Sequence, residues 1–318
     1  MGNLNVTTDE LKKSATKFKT QLIITPVISA NATLMHMTGR PGVAGREVVG
    51  ELSGDIEIGP YDPNRVDTSG MTIAPRVLET YLGSVIKEFD PNSAAKTVWG
   101  LMTAQGEALK SADISLQVLT YLSANLGKAL GACIWSAKRN ESGTKTKDLF
   151  DGFDTITQKE IDDSKISTAA GNLHEFSAAI SHTNAVEMLQ AFYESAADEL
   201  QSVKTKLYVS KDIYNAYKRD YATRFNAAPY NRTYEKVYLE GSDDLCEIVA
   251  LSSKKGSPFV HLAPASNLLY GYGAGLADEN IAIEKYKPFT LSYVATMYFG
   301  TQFDSISKEF LHVGKLHS

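Results

Sequence analysis

Residues 113–138 read DISLQVLTYLSANLGKALGACIWSAK, and this stretch decides the fold. Apolar side chains recur along it at helical spacing, which predicts one long helix. The apolar side carries Leu116, Leu119, Leu122, Leu126, Leu130 and Ile134. Another side carries Ser123, Gly127 and Gly131. Because two interior glycines weaken a helix by about 2 kcal/mol relative to alanine, we expect close backbone packing along this small side, with the helix as the spine of the fold.

A glycine-rich hairpin is predicted before this helix. Two β-like stretches, residues 47–58 and 66–73, flank the turn-forming residues 59–64. An isolated hairpin is only marginally stable in water, so we expect this one to pack on a body or on a neighbouring molecule. After it, Pro75 and an apolar stripe at helical spacing predict a second helix, which Pro91 ends. The stripe consists of Val77, Leu78, Tyr81, Leu82, Val85, Ile86 and Phe89.

The residues at the start of the chain are basic. Thr7 and Glu10 have the spacing of a capping box, which predicts a short helix over residues 7–19. Residues 20–36 follow as an extended arm that contains Pro26. Since the helix is too short to be stable alone, we expect this part of the chain to dock on another surface.

The second half of the chain mixes helices and strands. A β-like stretch begins at Phe153, and a helix is predicted over residues 184–203, where Asn184 and Glu187 have capping-box spacing. A buried strand then leads into a short helix that Ser210 caps. The remaining segments are mostly β-like, at residues 232–239, 245–251, 259–262, 268–272, 281–286 and 289–301. This segregation of helices and strands predicts the α+β class.

Composition limits the classes of protein to consider. The 318 residues include 32 basic and 37 acidic side chains, and the net charge of −5 argues against a main surface that binds nucleic acid by neutralising its phosphates. Two cysteines cannot build a disulfide framework, which favours a reducing compartment. The first apolar run, residues 22–24, is too short for a secretory signal. Polar side chains within residues 118–135 favour a helix in water over a membrane span, so we expect the chain to act in an aqueous interior.

Few patterns in the sequence carry chemistry. Residues 271–275 do not fit a dinucleotide-binding fingerprint, because Leu276 stands where the third glycine is needed, and they predict a flexible loop. The six histidines lack zinc-site spacing and are predicted to have core or surface roles, and Cys133 is predicted to be a small buried hydrophobe. Two carboxylate clusters could bind a cation or form an acid/base pair, although a solvated surface is their usual role. These clusters are Asp148, Asp151 and Asp154, and Asp243, Asp244 and Glu247. We assign no catalytic residue, no cofactor and no metal.

The charges of the two extensions predict contacts between subunits instead. The short N-terminal helix is basic, whereas residues 37–75 carry three arginines against six carboxylates. Charge complementarity of this kind sets the register of an interface more than its affinity. The candidate contact residues are Lys12, Lys13, Lys17, Lys19, Arg40, Arg46, Glu47, Glu51, Asp55, Glu57 and Arg65.

Four motifs in order along the chain resemble those of a known family. They are Ile134-Trp135 followed by Gly143 and Asp151-Gly152-Phe153, then Lys206 to Ser210 with Ile213-Tyr214, then Phe259 to Pro264 through Gly271, and finally the alternating segment Ile281 to Val313. In order and spacing they are similar to the major capsid proteins of tailed phages, which have the Hong Kong 97-type fold. The resemblance covers nearly the whole chain.

The resemblance implies a domain organisation. It makes residues 1–36 an N-terminal arm, 37–75 an E-loop hairpin, 76–175 a P domain with the spine helix, 176–275 an A domain, and 276–318 the return strands of the P domain. Some family members carry an N-terminal scaffolding segment that a protease removes, and the short stretch before the arm implies a separate scaffolding protein or none. The lysine-to-asparagine crosslink of some members is not carried over, because nothing in the sequence identifies such a pair.

The resemblance also implies a function. It predicts a structural, non-enzymatic head protein that assembles with itself into hexamers and pentamers of an icosahedral shell around double-stranded DNA. The implied partners are portal and scaffolding or decoration proteins, with packaged DNA nearby and no membrane. The implied location is the virion, after assembly in the cytoplasm of a bacterial host. Two alternatives stay open: the shell of an encapsulin-type nanocompartment, and an enzyme with a glycine-loop or carboxylate site.

Overall fold

A computed structural model describes residues 31–53, 72–89, 111–226, 237–274, 281–287 and 290–317. The predicted helix at residues 7–19 and the predicted turn at residues 59–64 lie outside these residues. The chain divides into two compact units. Unit 1 comprises Met1–Gly45, Thr80–Gly152 and Gly271–Gly300, and unit 2 comprises Arg46–Glu79, Phe153–Tyr270 and Thr301–Ser318.

The described residues contain both helices and strands, as the α+β prediction requires. The helices are α1 Asn31–Leu34, α2 Ser111–Cys133, α3 Phe153–Asp162, α4 Ala185–Glu194, α5 Asp198–Gln201 and α6 Lys211–Phe225. The strands before α4 are β1 Thr38–Pro41, β2 Arg46–Ser53, β3 Thr72–Glu79, β4 Tyr81–Phe89 and β5 Leu173–Glu175. The later strands are β6 Thr205–Ser210, β7 Cys246–Leu251, β8 Phe259–Ala263, β9 Leu268–Ala274, β10 Ile281–Lys287, β11 Thr290–Phe303 and β12 His312–Lys315.

Unit 1 combines the spine helix α2 with strands of one sheet. The strand order of this sheet is β1-β9-β11-β10, and β4 also pairs with β11 in antiparallel register from Tyr81↔Phe299 to Phe89↔Leu291. The helix α2 confirms the predicted spine, although it ends at Cys133, five residues before the predicted end. Its small side is buried as expected, and the hydroxyl oxygens of Ser123 and Tyr293 lie 3.0 Å apart.

Unit 2 is built on a second sheet with the strand order β5-β12-β8-β6-β7. The strands β6 and β7 are parallel and are connected through α6, whereas β8 is antiparallel to β6 and to β12. Ser210 caps α6 as predicted, since its Oγ accepts a hydrogen bond from the Ile213 N–H. The core lies between the sheet and the helices α4 and α6, and it includes Phe192, Leu200, Leu207, Val209, Tyr217, Val260 and Leu262.

The predicted hairpin is present in unit 2 with different strand bounds. Its strands β2 and β3 pair in antiparallel register from Arg46↔Glu79 to Ser53↔Thr72. One face of the hairpin buries Val49 and Leu78. Because β3 runs to Glu79, the hairpin takes in residues that the sequence pattern placed in a helix.

The predicted helix after Pro75 is wrong. Residues 75–79 belong to β3 and residues 81–89 to β4, with Thr80 between the two strands. Within β3 the side chain of Val77 is exposed and that of Leu78 is buried. Each strand carries apolar residues on both faces, and two such strands in succession imitate the spacing of a helical stripe. The β-branched and aromatic side chains of this stretch are the signal that favours strands.

Two further predictions in the second half need correction. Phe153 begins the helix α3 rather than a strand, and Phe153, Ile156 and Thr157 are buried at the helical spacing i, i+3, i+4. The helix predicted over residues 184–203 is two helices, α4 and α5, separated at Ser195. The capping box is also absent there, because Asn184 Oδ1 accepts hydrogen bonds from the N–H and the hydroxyl of Ser181 instead.

The glycine-rich stretch is a strand rather than the predicted flexible loop. Gly271 and Gly273 lie within β9. A Cβ atom on Gly273 would come within 2.9 Å of the Val43 carbonyl oxygen, so the glycine permits a close approach of two backbones. A second glycine has the same role after the spine helix, where a Cβ on Gly152 would lie 2.5 Å from the Trp135 carbonyl oxygen.

Candidate assembly surfaces

The hairpin presents an apolar face to solvent. Val48 and Val77 are direct cross-strand partners, and their exposed fractions are 72% and 42%. At the base of the same ribbon, Arg46 Nη2 lies 2.8 Å from Glu79 Oε1 in an exposed ion pair. Large apolar side chains side by side on a surface are typical of a site where another protein binds. The hairpin is therefore a candidate assembly surface.

The predicted contact residues fall into three groups. Arg40 is exposed on β1 of unit 1, and Arg46, Glu47 and Glu51 follow one another along β2 of unit 2. The remaining predicted residues, Lys12, Lys13, Lys17, Lys19, Asp55, Glu57 and Arg65, lie outside the described residues. The partner that the structure gives Arg46 is Glu79, which the sequence analysis missed. The strand register would have found it, since Glu79 stands directly opposite Arg46.

The first carboxylate cluster does not form a site. Asp148 Oδ2 accepts a hydrogen bond from the Lys145 N–H at 3.0 Å, and Asp151 Oδ1 accepts one from the Arg139 N–H at 2.9 Å. Asp154 belongs to unit 2, where its Oδ1 lies 3.3 Å from Lys254 Nζ. Each carboxylate therefore interacts with a different partner: Asp148 and Asp151 with backbone N–H groups, and Asp154 with the Lys254 ammonium.

The second carboxylate cluster is divided between a turn and a strand. Asp243 and Asp244 are exposed in the turn, with φ angles of 50° and 61° in the left-handed region, whereas Glu247 lies in β7. The adjacent Ser242 is buried, and its Oγ accepts a hydrogen bond from the Cys246 N–H. Among the residues that the structure describes, no three His, Cys, Asp or Glu side chains are placed to hold a metal ion.

Lys254 is a buried cation. None of its side chain is exposed, and its Nζ donates to the Phe259 carbonyl at 2.6 Å, to Ser257 Oγ at 3.0 Å and to Asp154 at 3.3 Å. Burial lowers the pKa of Lys254 to about 8, although the nearby Asp154 carboxylate opposes this shift. Burial likewise raises the pKa of Asp154 above its usual value. Three acceptors around one ammonium satisfy its hydrogen-bonding capacity, which is the arrangement of a structural ion pair.

Three histidines of unit 2, His174, His261 and His312, have structural partners. His261 lies within β8, as predicted, and its Nε2 is 2.9 Å from Thr157 Oγ1 of α3. Ser195 Oγ lies 3.0 Å from His174 Nδ1 and 3.0 Å from His312 Nε2, and it donates to the Phe192 carbonyl. Burial lowers the pKa of His312 to about 4 and also lowers that of His174. Both imidazoles are consequently neutral at pH 7.

Cys133 is a buried side chain, as predicted, and so is Cys246. Burial raises the pKa of Cys133 to about 11 and that of Cys246 to about 12. A thiol that remains protonated at neutral pH is a poor nucleophile.

Unit 1 contains a groove with a volume of about 460 Å³, which runs beside α2, β4 and the loop that follows the spine helix. Arg139 lies at its wall, with the guanidinium 4.1 Å from the centre of the Tyr81 ring and Nη1 bonded to the Leu149 carbonyl. The Arg139 guanidinium thus already contacts an aromatic face and a carbonyl. No described helix combines the length and the apolar character that a membrane crossing requires.

Three solved structures of capsids share this backbone arrangement. The chain matches one in the satellite phage P4 procapsid, a structure that includes the size determination protein, with a TM-score of 0.58 and 10% identity over 93% of this chain and 98% of that chain. It matches a chain in the capsid of a native GTA particle with a TM-score of 0.56 and 11% identity, over 91% of each chain. For the cyanophage A-1(L) capsid the TM-score is 0.53 and the identity 11%, over 92% of each chain. The chain has the fold of phage capsid proteins.

The phage capsid fold confirms, at the level of the backbone, the resemblance found in the sequence. At 10–11% identity the similarity lies in the arrangement of elements rather than in shared side chains. In keeping with this, no protein-family model and no curated protein matches the sequence.

Proposed function

We propose that the chain is the major capsid protein of a tailed bacteriophage or prophage. In this role it assembles into the hexamers and pentamers of an icosahedral shell that encloses double-stranded DNA. The observation that carries the proposal is the match over 93% of this chain and 98% of a chain in the P4 procapsid. Since one fold can host several functions, the surface must supply further support. That support is the hairpin, whose exposed Val48 and Val77 suit a protein that binds its own copies.

The proposal includes the domain organisation of the Hong Kong 97-type family. Residues 1–36 are the N-terminal arm, 37–75 the E-loop, 76–175 the P domain with the spine helix, 176–275 the A domain and 276–318 the returning strands. The hairpin strand β3 continues past the proposed boundary at residue 75 and ends at Glu79. The proposed partners are the portal, scaffolding or decoration proteins and the packaged DNA, inside a virion assembled in bacterial cytoplasm.

The geometry favours this structural role over an enzyme. The carboxylates that could have formed an acid/base pair bind separate backbone groups or Lys254. Both cysteines are protonated at neutral pH, and the glycine-rich stretch is a paired strand. The described residues expose an apolar ribbon, which is suited to binding protein.

Electron microscopy of the purified full-length chain tests the proposal. Rings, tubes or closed shells are the expected result. Uniform small particles with enzymatic turnover would contradict it. Closed shells isolated from cells also separate the two shell functions by their contents, because a capsid holds nuclease-resistant DNA whereas an encapsulin-type shell holds protein cargo.

Charge reversal tests the proposed contact of the basic N-terminal segment. Changing Lys12, Lys13, Lys17 and Lys19 to glutamate should reduce shell yield about tenfold or more while the subunit keeps its circular dichroism spectrum. The matched control reverses four exposed lysines elsewhere, Lys138, Lys145, Lys147 and Lys211. Normal shells from the first variant, or an equal loss from the control, would remove the specific role of the arm.

A further inference from the structure

Three consecutive residues of unit 2 hold the hairpin. Gln302 Nε2 donates to the Val77 carbonyl at 3.0 Å, and the Phe303 carbonyl accepts from Arg76 Nε at 3.1 Å. Asp304 Oδ1 accepts from the Gly50 N–H at 3.1 Å. The end of β11 and the residue after it therefore contact both strands of the ribbon.

The strand register places these contacts on the two outer edges of the ribbon. Gly50 is paired with Pro75, and Val48 with Val77. Because the Gly50 N–H points to Asp304, the pair Gly50–Pro75 exchanges no hydrogen bonds, and neither does the pair two residues along. The Val77 carbonyl consequently points away from β2. Residues 302–304 thus form hydrogen bonds with the outer edge of β2 and with the outer edge of β3.

Arg76 connects the hairpin to a helix of unit 2. Its Nη2 lies 2.7 Å from Glu160 Oε1 of α3 and donates to Gln302 Oε1 at 2.9 Å. Both members of the Arg76–Glu160 pair are only 12% exposed, so salt screens their attraction far less than that of a surface pair. One guanidinium therefore ties β3 to α3 and to residues 302–303.

Apolar burial contributes little to the attachment. Of the hairpin side chains that the structure describes, Val49 and Leu78 are the buried ones. The ribbon has its own ladder of eight residue pairs between β2 and β3. The internal order of the hairpin and its attachment are therefore separate sets of interactions, and segments of this kind can open locally without global unfolding.

We propose that Arg76, Glu160, Gln302 and Asp304 form a clamp that fixes the orientation of the hairpin on unit 2. When the clamp opens, the hairpin pivots away as a preformed two-stranded ribbon. Pivoting exposes Val49 and Leu78 to water, so the open orientation is favoured wherever a second surface covers these two side chains. The clamp is a property of the single chain and does not rest on the proposed shell function.

Distances between two spin labels test the clamp in the full-length chain. The labels are attached to Val48→Cys on the hairpin and Lys211→Cys at the start of α6, both exposed positions of unit 2, while the native cysteines are buried. Labelled chain is diluted with unlabelled chain so that only distances within one molecule are read. Arg76→Met should make the distance distribution about twofold broader than in the parent. Asp304→Ala, which removes one edge contact, should broaden it by a smaller amount.

The matched control is Arg46→Met, which removes an ion pair within the same ribbon and none of the clamp contacts. It should leave the parent distribution unchanged. The β6, β7 and β8 strands should stay more protected from hydrogen exchange than the hairpin in every variant. Unchanged distance distributions in both clamp variants would overturn the proposal. Equal protection of the hairpin and of these strands would also overturn it, because the hairpin would then open only when the sheet of unit 2 unfolds.

Discussion

The hairpin and the sheet of unit 2 are both β structure, yet they are stabilised in opposite ways. Every residue of β8 is buried, and Leu207, Tyr208 and Val209 of β6 have no exposed surface. The hairpin buries Val49 and Leu78 among its described side chains and holds its place through polar contacts to Glu160 and Asp304. Apolar burial is collective and makes the sheet one cooperative body, whereas directed hydrogen bonds fix an orientation that a few changes can release.

Ion pairs in unit 2 follow the same contrast. Lys254 and Asp154 are almost fully buried, whereas the side chains of Arg46 and Glu79 are 75% and 36% exposed. Removing one partner of a buried pair leaves an uncompensated charge in a poorly solvated place. Removing one partner of an exposed pair leaves a charge that water solvates.

The largest expected loss of stability comes from a change in the core of unit 2. Phe192 is fully buried, and its ring stacks on His312 at 4.9 Å and lies 5.6 Å from Phe176. Phe192→Ala should lower the free energy of unfolding by about 3–5 kcal/mol, measured by chemical denaturation, because it removes apolar contacts and leaves a cavity.

The half-exposed Phe225 at the end of α6 is the matched control for this change. Phe225→Ala removes the same side chain from a solvated place and should lower the free energy of unfolding by about 1 kcal/mol or less. Equal losses from the two variants would contradict the contrast between core and surface.

The next effect is a dependence of the stability of unit 2 on pH. Burial lowers the pKa of His312 from 6.5 to about 4, so between these values the unfolded chain binds a proton that the folded chain does not. Above pH 6.5 the neutral His312 makes its full contribution to the free energy of unfolding. This contribution, on the order of 3 kcal/mol, is lost as the pH falls toward 4. The difference between the free energies of unfolding at pH 7 and pH 4.5 should be smaller in His312→Asn than in the parent.

Comparison of the parent with His312→Asn tests this pH dependence. If His312→Asn and the parent lost equal stability on acidification, His312 would not contribute to the acid sensitivity of unit 2.

A smaller effect separates the clamp from the surface of the hairpin. Arg76→Met should lower the free energy of unfolding by about 1–3 kcal/mol, because it leaves the largely buried Glu160 without its nearest cation. Arg46→Met should cost about 0–1 kcal/mol, since its pair with Glu79 is exposed. Thermal denaturation of the two variants beside the parent measures both, and a reversed order would contradict the assignment of Arg76 to the clamp.

The smallest effect on stability is expected at the exposed face of the ribbon. Val48→Ser should change the free energy of unfolding by about 0.5 kcal/mol or less, because 72% of the Val48 surface is already in water. Under the proposed function the same change should slow shell assembly, followed by light scattering. Unaltered assembly would exclude this face from the subunit interface.

Several elements could be predicted from the sequence because local pattern and tertiary environment agree there. The spine helix has six apolar residues at helical spacing, and β6 with its Ser210 cap follows from a short apolar run and a hydroxyl at the right position. The helix prediction after Pro75 is wrong because apolar residues on both faces of two successive strands have the same spacing as a helical stripe. The prediction of a β-like stretch at Phe153 is wrong, because this residue begins a helix. Phe153, Ile156 and Thr157 are buried there at helical spacing.

The candidate surfaces divide in the same way. The sequence indicated that the hairpin needs a partner surface and that Arg46 and its neighbours carry charge there. It could not indicate Arg76, Glu160 or Asp304, because these residues are far apart in the chain and meet only when the hairpin lies on unit 2.

The α+β class, the spine helix, the presence of a hairpin and the resemblance to phage capsid proteins could all be predicted from the order and spacing of residues along the chain. The separation of the carboxylates, the burial of Lys254 and the hydrogen bonds at the edges of the hairpin could not, and they became visible in the folded chain. Those outcomes depend on the distances and burial of groups that the chain brings together from remote positions, and no local pattern records them.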